Sequence, residues 1–176
     1  MKELQTVNLK LRPCTPADRS DFIDLELDPE VMCFLNGGPV DHETTDPEKV
    51  TFLMPRGTEP DVWTAQRIDN GAFVGWFCLS SENDGVAEIG YRLRQDAWGK
   101  GYASEAALAL VNWAFETADL EKVVACTMAT NTGSRRVMEK IGMKYIRTVP
   151  FEAAHFPEAE QGEVWYELTR SEWARI

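Results

Sequence analysis

Metal-binding and cross-linking residues are scarce in this chain. It has two histidines, His42 and His155, and four cysteines, Cys14, Cys33, Cys78 and Cys126, with no Cys-x-x-Cys pair. Two histidines on separate loops among scattered acids form no recognisable metal set, so no metal is expected. Isolated thiols of this kind read as buried cysteines of a reducing compartment, not as a disulfide frame or a zinc site. No apolar run approaches the roughly 20 residues that cross a bilayer. Residues 1–6 lack the apolar core of a signal peptide. A cytoplasmic protein without membrane contact is expected. Positive charge is also short, with 18 Lys and Arg against 29 Asp and Glu and a net charge of -11. Phosphate backbones require a basic surface, which argues against broad nucleic-acid binding. The acidity suits a cationic substrate such as an amine, a polyamine or a basic peptide end, and it also serves solubility. Repeats, low-complexity segments and long linkers are absent too. The 176 residues, 44% hydrophobic and 27% charged, fit one domain over 1–176 with a substantial core. Nothing in the pattern separates a monomer from a homodimer.

What the chain does have is concentrated in residues 86–115. Ala87, Ile89, Tyr91 and Leu93 alternate with Glu88, Gly90, Arg92 and Arg94, the period of a half-buried strand. From Ala103 the period changes, with apolar residues at 103, 106, 107, 110, 111 and 114, the buried face of a helix. Gly99-Lys100-Gly101 lies between them. Glycines let a backbone approach a ligand closely, and the first N–H groups of the following helix carry positive partial charge. Strand, glycine turn and helix start together suit a phosphate or pyrophosphate. A plain tight turn would show the same spacing. A P-loop is excluded, because Gly101 is followed by Tyr102 and no Gly-Lys-Ser/Thr occurs.

Around this stretch the elements follow in a definite order. Residues 7–12 alternate as a strand stopped by Pro13. Thr15-Pro16-Ala17-Asp18 opens a helix with a box-like cap, and Pro29 opens a second, ended by Asn36-Gly37-Gly38-Pro39. Residues 41–60 are hard to assign, with a further helix turn over 47–54 and a connecting or substrate-lining role. Residues 62–68, 73–80 and the strand from Val86 form a meander joined by Asp69-Asn70-Gly71 and Asn83-Asp84-Gly85. A strand over 123–128 follows the long helix. Asn131 caps another helix, which Gly142 closes. Strands over 143–149 and 163–170 complete the set, with a long loop around His155 and a terminal helical turn at Ser171-Glu172-Trp173. The fold class is α+β.

Trp98-Gly99-Lys100-Gly101-Tyr102-Ala103-Ser104-Glu105-Ala106, followed by Asn131-x-x-Ser134 and Glu139-Lys140-Ile141-Gly142-Met143, resembles the GNAT superfamily of N-acetyltransferases. More narrowly it is similar to the branch containing the ribosomal-protein N-terminal (alanine or serine) acetyltransferases. The likeness covers nearly the whole chain and is specific in these two regions. The family's phosphate pattern is Gln/Arg-x-x-Gly-x-Gly/Ala. Trp98 stands at its first place, a departure common in this branch, with Gly101 and Ala103 at the glycine positions. The resemblance implies a mixed, mostly antiparallel twisted sheet flanked by helices and splayed between its central strands. It also implies an acetyl-coenzyme A site, with the pyrophosphate on backbone N–H groups of Gly99, Lys100, Gly101, Tyr102, Ala103 and Ser104. The pantetheine would lie along the strand edge near Tyr91 to Leu93. Lys100 either adds charge to the phosphates or is a solvated surface lysine.

The implied reaction is direct attack of an amine on the thioester. An alkylamine with a pKa of roughly 10.4 needs a base at neutral pH, and an α-amine near roughly 7.8 needs less help. Glu88, leaning off the core face of its strand, is the candidate base, acting directly or through a water; the alternative is an exposed strand glutamate. The resemblance places the oxyanion on a backbone N–H of the same strand and Ser134 near the leaving sulfur. A thiol pKa near roughly 8.5 means that Ser134 need only hydrogen-bond the thiolate; otherwise it is a polar residue of a helix's first turn. Asn131 is expected both to cap the helix and to contact the cofactor arm. His42 and His155 read as surface residues, and the six tryptophans as core and interface. Acceptors within this reading are a protein N-terminal α-amine or a small-molecule amine such as a polyamine or an antibiotic. A noncatalytic acyl-coenzyme A sensor and a nucleotide-phosphate binder are the competing classes.

Overall fold

The structure, a computed structural model, describes residues 2–46, 57–83, 85–151 and 156–175. The helix turn expected over 47–54 and the loop position of His155 lie outside the described residues. One eight-stranded sheet contains β1 (Leu4–Gln5), β2 (Leu9–Pro13), β3 (Val62–Arg67), β4 (Phe73–Asn83), β5 (Val86–Leu93), β6 (Lys122–Met128), β7 (Lys144–Val149) and β8 (Glu163–Thr169). Their spatial order is β1-β2-β3-β4-β5-β6-β8-β7. The helices are α1 (Arg19–Leu27), α2 (Pro29–Asn36), α3 (Tyr102–Glu116), α4 (Thr132–Lys140) and α5 (Arg170–Trp173). Among the described residues no helix is long and apolar enough to cross a membrane.

Every strand pair is antiparallel except β5 with β6. A parallel pair needs a crossover connection, and α3 supplies it. Ala106, Ala107, Leu110, Val111, Ala114 and Phe115 of α3 are buried against one face of the sheet, the spacing that the sequence pattern predicts. The other face is covered by α1 and α2. There Phe22, Leu25 and Val31 pack with Val62, Trp76 and Cys78.

Caps written in the sequence set the helix starts. Pro16–Asp18 forms a 3-10 turn leading into α1, and the Asp18 carboxylate accepts the Thr15 N–H at 2.8 Å. Arg12 and Thr64 also donate to it. Burial pushes the Asp18 carboxyl up, but these hydrogen bonds outweigh it and hold it below the usual range. Asp28 caps α2 through the Glu30 N–H at 2.9 Å, with Pro29 in the first turn and Gly37 at φ 84° ending it.

Covering both faces corrects the half-buried reading of β5. Arg92, placed by alternation on a polar face, is only 5% exposed because α1 lies over it. Its guanidinium bonds Glu26 of α1 at 3.1 Å and lies 4.9 Å from the centroid of the Trp76 ring. Burial lowers the Arg92 pKa and the Glu26 charge opposes that shift. The thiols also depart from expectation: Cys78 is buried, whereas Cys14, Cys33 and Cys126 are half-buried. Trp63 and Trp76 are core residues, but Trp98 is 43% exposed.

Candidate active site

The sheet opens at Glu88. The β5–β6 ladder holds Val86 to Lys122, Ala87 to Val123 and Glu88 to Val124. Beyond Glu88 the strands part, and the rest of β5 faces β6 across a cleft with no ladder bonds between the two. A cleft between central strands exposes backbone donors that an extended ligand can pair with. The half-buried Glu88 sits at its apex, where the Cys126 thiol of β6 donates to its Oε1 at 3.2 Å.

Two elements on either side of the cleft are tied by hydroxyls. Asn131 caps α4, its Oδ1 accepting the Ser134 N–H at 3.1 Å while its Nδ2 donates to Thr127 Oγ1. The Tyr91 hydroxyl of β5 lies 3.0 Å from Ser134 Oγ and donates to the Ser134 carbonyl at 3.1 Å. Burial pushes the Tyr91 phenol up to about 12, with the Ser134 bond partly offsetting it. The phenol therefore keeps its proton at neutral pH. The Ser134 hydroxyl, fixed by its neighbours, can donate to an atom in the cleft.

After β5 the chain makes a 3-10 turn over Gln95–Ala97 and reaches the glycine loop. The Trp98 indole N–H donates to the Leu93 carbonyl at 3.0 Å, so this side chain pins the loop to the end of β5. Gly99 and Gly101 have φ of 72° and 86°, a region that favours glycine. A Cβ at either would meet no protein atom within 4 Å. Their necessity lies in the backbone, and the space beside them is open. No side chain caps α3 among the described residues, so its first N–H groups, at Tyr102, Ala103 and Ser104, face that opening. The carboxylate in this first turn, Glu105, is drawn to the opposite side. It accepts Thr6 Oγ1 at 2.5 Å, the Asn8 N–H at 2.7 Å and Asn8 Nδ2 at 2.8 Å. Burial pushes Glu105 up, and these donors outweigh it and hold it below the usual range.

A splayed parallel pair, a glycine turn and an uncapped helix start form one continuous groove, and comparison with known proteins gives it a family. Residues 8–144 match the model described as "Acetyltransferase (GNAT) domain". The chain belongs to the GNAT acetyltransferase family. The FsC-acetyl coenzyme A-N(2)-transacetylase of Aspergillus fumigatus is 35% identical over 185 residues, covering 98% of this chain and 78% of that protein. Bacillus subtilis YdaF, named only provisionally as a ribosomal N-acetyltransferase, is 41% identical over 56 residues, 32% of this chain and 31% of that protein. A GNAT-family acetyltransferase from Bacillus anthracis shares the fold, with a TM-score of 0.81 and 23% identity over 97% of this chain and 99% of that one. The chain is thus an N-acetyltransferase with acetyl-coenzyme A as cosubstrate. The narrower ribosomal likeness is hinted at by this partial match.

The GNAT groove brings together most of the residues singled out in sequence. Glu88, Tyr91 and Leu93 lie along β5, Gly99 to Ser104 at the loop, and Asn131 with Ser134 at the start of α4. A diphosphate fits the open side of Gly99 and Gly101 and the uncapped start of α3, where helix dipole and free donors coincide. Lys100 is exposed at the same loop. His42 is not the surface histidine expected: its Nε2 lies 3.1 Å from Oε2 of the fully buried Glu26, at the end of the Arg92 network. Tyr91 was expected only as a strand-edge contact, and its hydroxyl partnership with Ser134 has no local sequence signal. Cys126 and Glu105 were likewise not singled out for their contacts. Ser134→Ala removes one donor while Asn131 still caps the helix. Turnover should fall about 10-fold with the acetyl-coenzyme A dissociation constant within about twofold, read by steady-state kinetics and calorimetry.

Proposed function

We propose that this GNAT protein acetylates a primary amine by direct attack on the thioester, with Glu88 as the base. The observation that carries the reading is the position of Glu88, where the cleft between β5 and β6 begins. An amine entering the cleft gives a proton to the Glu88 carboxylate, directly or through one water, and its lone pair forms the C–N bond. Negative charge moves to the carbonyl oxygen, which a β5 backbone N–H stabilises, and collapse expels the thiolate, which takes up the proton that the nitrogen sheds in becoming an amide. Ser134 Oγ–H donates to that sulfur. Gly99, Lys100, Gly101, Tyr102, Ala103 and Ser104 hold the pyrophosphate, and the Tyr91 to Leu93 edge and Asn131 hold the arm. The unit responsible is the whole chain, acting as one acyltransferase domain.

A small-molecule amine is the acceptor that we favour, because the relative matched along nearly the whole chain is named for transfer to an N(2) nitrogen. A protein N-terminal α-amine is the second reading, supported by the shorter stretch shared with YdaF. Mass spectrometry of amino-acid amides, alkylamines, polyamines and N-terminal peptides incubated with labelled acetyl-coenzyme A tests both. Label is expected on small amines in preference to peptides. Tight acetyl-coenzyme A binding with slow hydrolysis and no labelled amine would replace the enzyme by a noncatalytic acyl-coenzyme A sensor.

A further inference from the structure

Glu88 does not stand alone at the cleft. In register, Glu88 pairs with Val124, Cys126 pairs with Trp165 and Met128 pairs with Glu163. Side chains alternate along a strand, so Glu88, Cys126 and Glu163 share one face of the sheet, the one opposite α3. Glu88 is at the apex, and Glu163, the first residue of β8, lies beside Met128 at the far end of β6, after β5 and β6 have parted. Cys126 lies between the two carboxylates: its Sγ donates to Glu88 Oε1 at 3.2 Å, and the Glu163 charge, one register position along the same face, acts on the same thiol.

Glu163 is itself fixed. Its Oε2 accepts the Trp165 indole N–H at 2.9 Å, and the Arg147 guanidinium stacks 5.4 Å from the centroid of that ring. A thiol carries one proton and can satisfy one acceptor at a time. That proton goes to Glu88, and Glu163, whose Oε2 takes one N–H from Trp165, keeps further acceptor capacity as a carboxylate. Burial, then the charges of Glu88 and Glu163, push the Cys126 thiol far above its ordinary value. It stays neutral and cannot add a third negative charge, nor does it have the reactivity of a low-pKa thiolate. Its function in this arrangement is geometric, keeping two carboxylates that repel each other facing one point. A primary ammonium group has three N–H donors and one positive charge, which suits two such acceptors at once.

We propose that Glu163 is an amine-binding residue of this acetyltransferase: the acceptor enters as an ammonium ion between Glu163 and Glu88, with Cys126 as the positioning residue that holds them. The proposal rests on the function given above, with Glu88 as base. One N–H proton passes from the ammonium to Glu88, the lone pair so released attacks the thioester, and as the adduct collapses the nitrogen gives its second proton to the departing thiolate, leaving a neutral amide and the coenzyme A thiol. Glu163 faces the nitrogen as that atom regains positive charge in forming the C–N bond. Acceptors that are cations at neutral pH are thereby selected over neutral ones of the same shape.

Two probes of like shape separate charge recognition from packing: 2-phenylethylamine, a cation at neutral pH, and phenylhydrazine, neutral there. Glu163→Gln keeps the volume and an oxygen for the Trp165 N–H. It should raise KM for 2-phenylethylamine about 10-fold and leave KM for phenylhydrazine and acetyl-coenzyme A affinity within about twofold. Cys126→Ser, which keeps a donor, should stay close to wild type. Cys126→Val, which fills the space without one, should lose turnover about 10-fold with both probes; should it fail to bind acetyl-coenzyme A, Cys126→Ala takes its place. Equal KM changes for the two probes, or none, overturn the amine-binding role of Glu163 while Glu88 remains the base. Serine and valine variants of equal turnover overturn the role of Cys126. Wild-type protein that binds acetyl-coenzyme A and acetylates neither probe nor any amine of the panel overturns this proposal together with the function beneath it.

Discussion

Glu88→Gln is expected to lower turnover about 100-fold at pH 7 while acetyl-coenzyme A binds with wild-type affinity. The substitution keeps the shape of the side chain and an oxygen that accepts the Cys126 S–H now bonded at 3.2 Å. Neither the β5–β6 ladder nor the glycine loop should change. What disappears is the capacity to take a proton. The size of the loss depends on the amine. At pH 7 an alkylamine of pKa roughly 10.4 is neutral in roughly one molecule in 2,500, and an α-amine of pKa roughly 7.8 in roughly one in seven. The deficit should therefore shrink as pH rises toward the pKa of the acceptor. A deficit that vanishes by about pH 9 points to an α-amine, and one that persists there points to an alkylamine. Wild-type turnover by Glu88→Gln at pH 7, measured with an acceptor from the amine panel, removes Glu88 as the base.

The place of Glu88 on its strand is legible because the signal is local. The alternation around Val86 sets Glu88 off the α3 face, and the glycine turn that follows marks the strand end near which the cofactor arm should lie. Helix α3 and the Asn131 cap were legible for the same reason: a 3.6-residue period and a side chain that closes on its own neighbours. The side-chain contacts on and beside β5 span far more chain. Cys126 meets Glu88 across 38 residues, Tyr91 meets Ser134 across 43 and Arg92 meets Glu26 across 66. Alternation showed Arg92 as polar-facing because it reports which side of a strand a residue occupies, not what covers that side. In this fold α1 covers it, and an acid on α1 supplies the counter-charge. Charged positions four apart on one side of a strand, Glu88 and Arg92 with Gly90 between them, have the look of a solvated face. Gly90 shows otherwise, since a Cβ there would come within 2.9 Å of the Cys78 sulfur. His42 was misread for the same reason, its partner Glu26 being buried on another element.

The loop at the other end of the groove gives the second large effect. Gly101→Glu is expected to weaken acetyl-coenzyme A binding at least about 100-fold, with the fold retained. Three contributions separate. The first is strain: Gly101 has φ 86°, and a side chain in this region costs about 1–2 kcal/mol. Clash within the protein is negligible, because a Cβ there meets no protein atom within 4 Å. The remainder is the cosubstrate's own. A carboxylate placed at the uncapped start of α3 occupies the opening, competes for its N–H donors and repels a pyrophosphate. Gly101→Ala carries the strain without the charge or the length, and it should weaken binding about 10-fold or less. Both variants should lose similar thermal stability, so the gap between their calorimetric affinities measures occupation of the site. Salt divides that gap further. At about 1 M ionic strength the Debye length falls to about 3 Å, and the glutamate variant should recover the repulsive part while keeping the steric part. Wild-type affinity in Gly101→Glu would mean that the diphosphate rests elsewhere, and the groove from Glu88 to Ser104 would lose the anchor that aligns the thioester with its base.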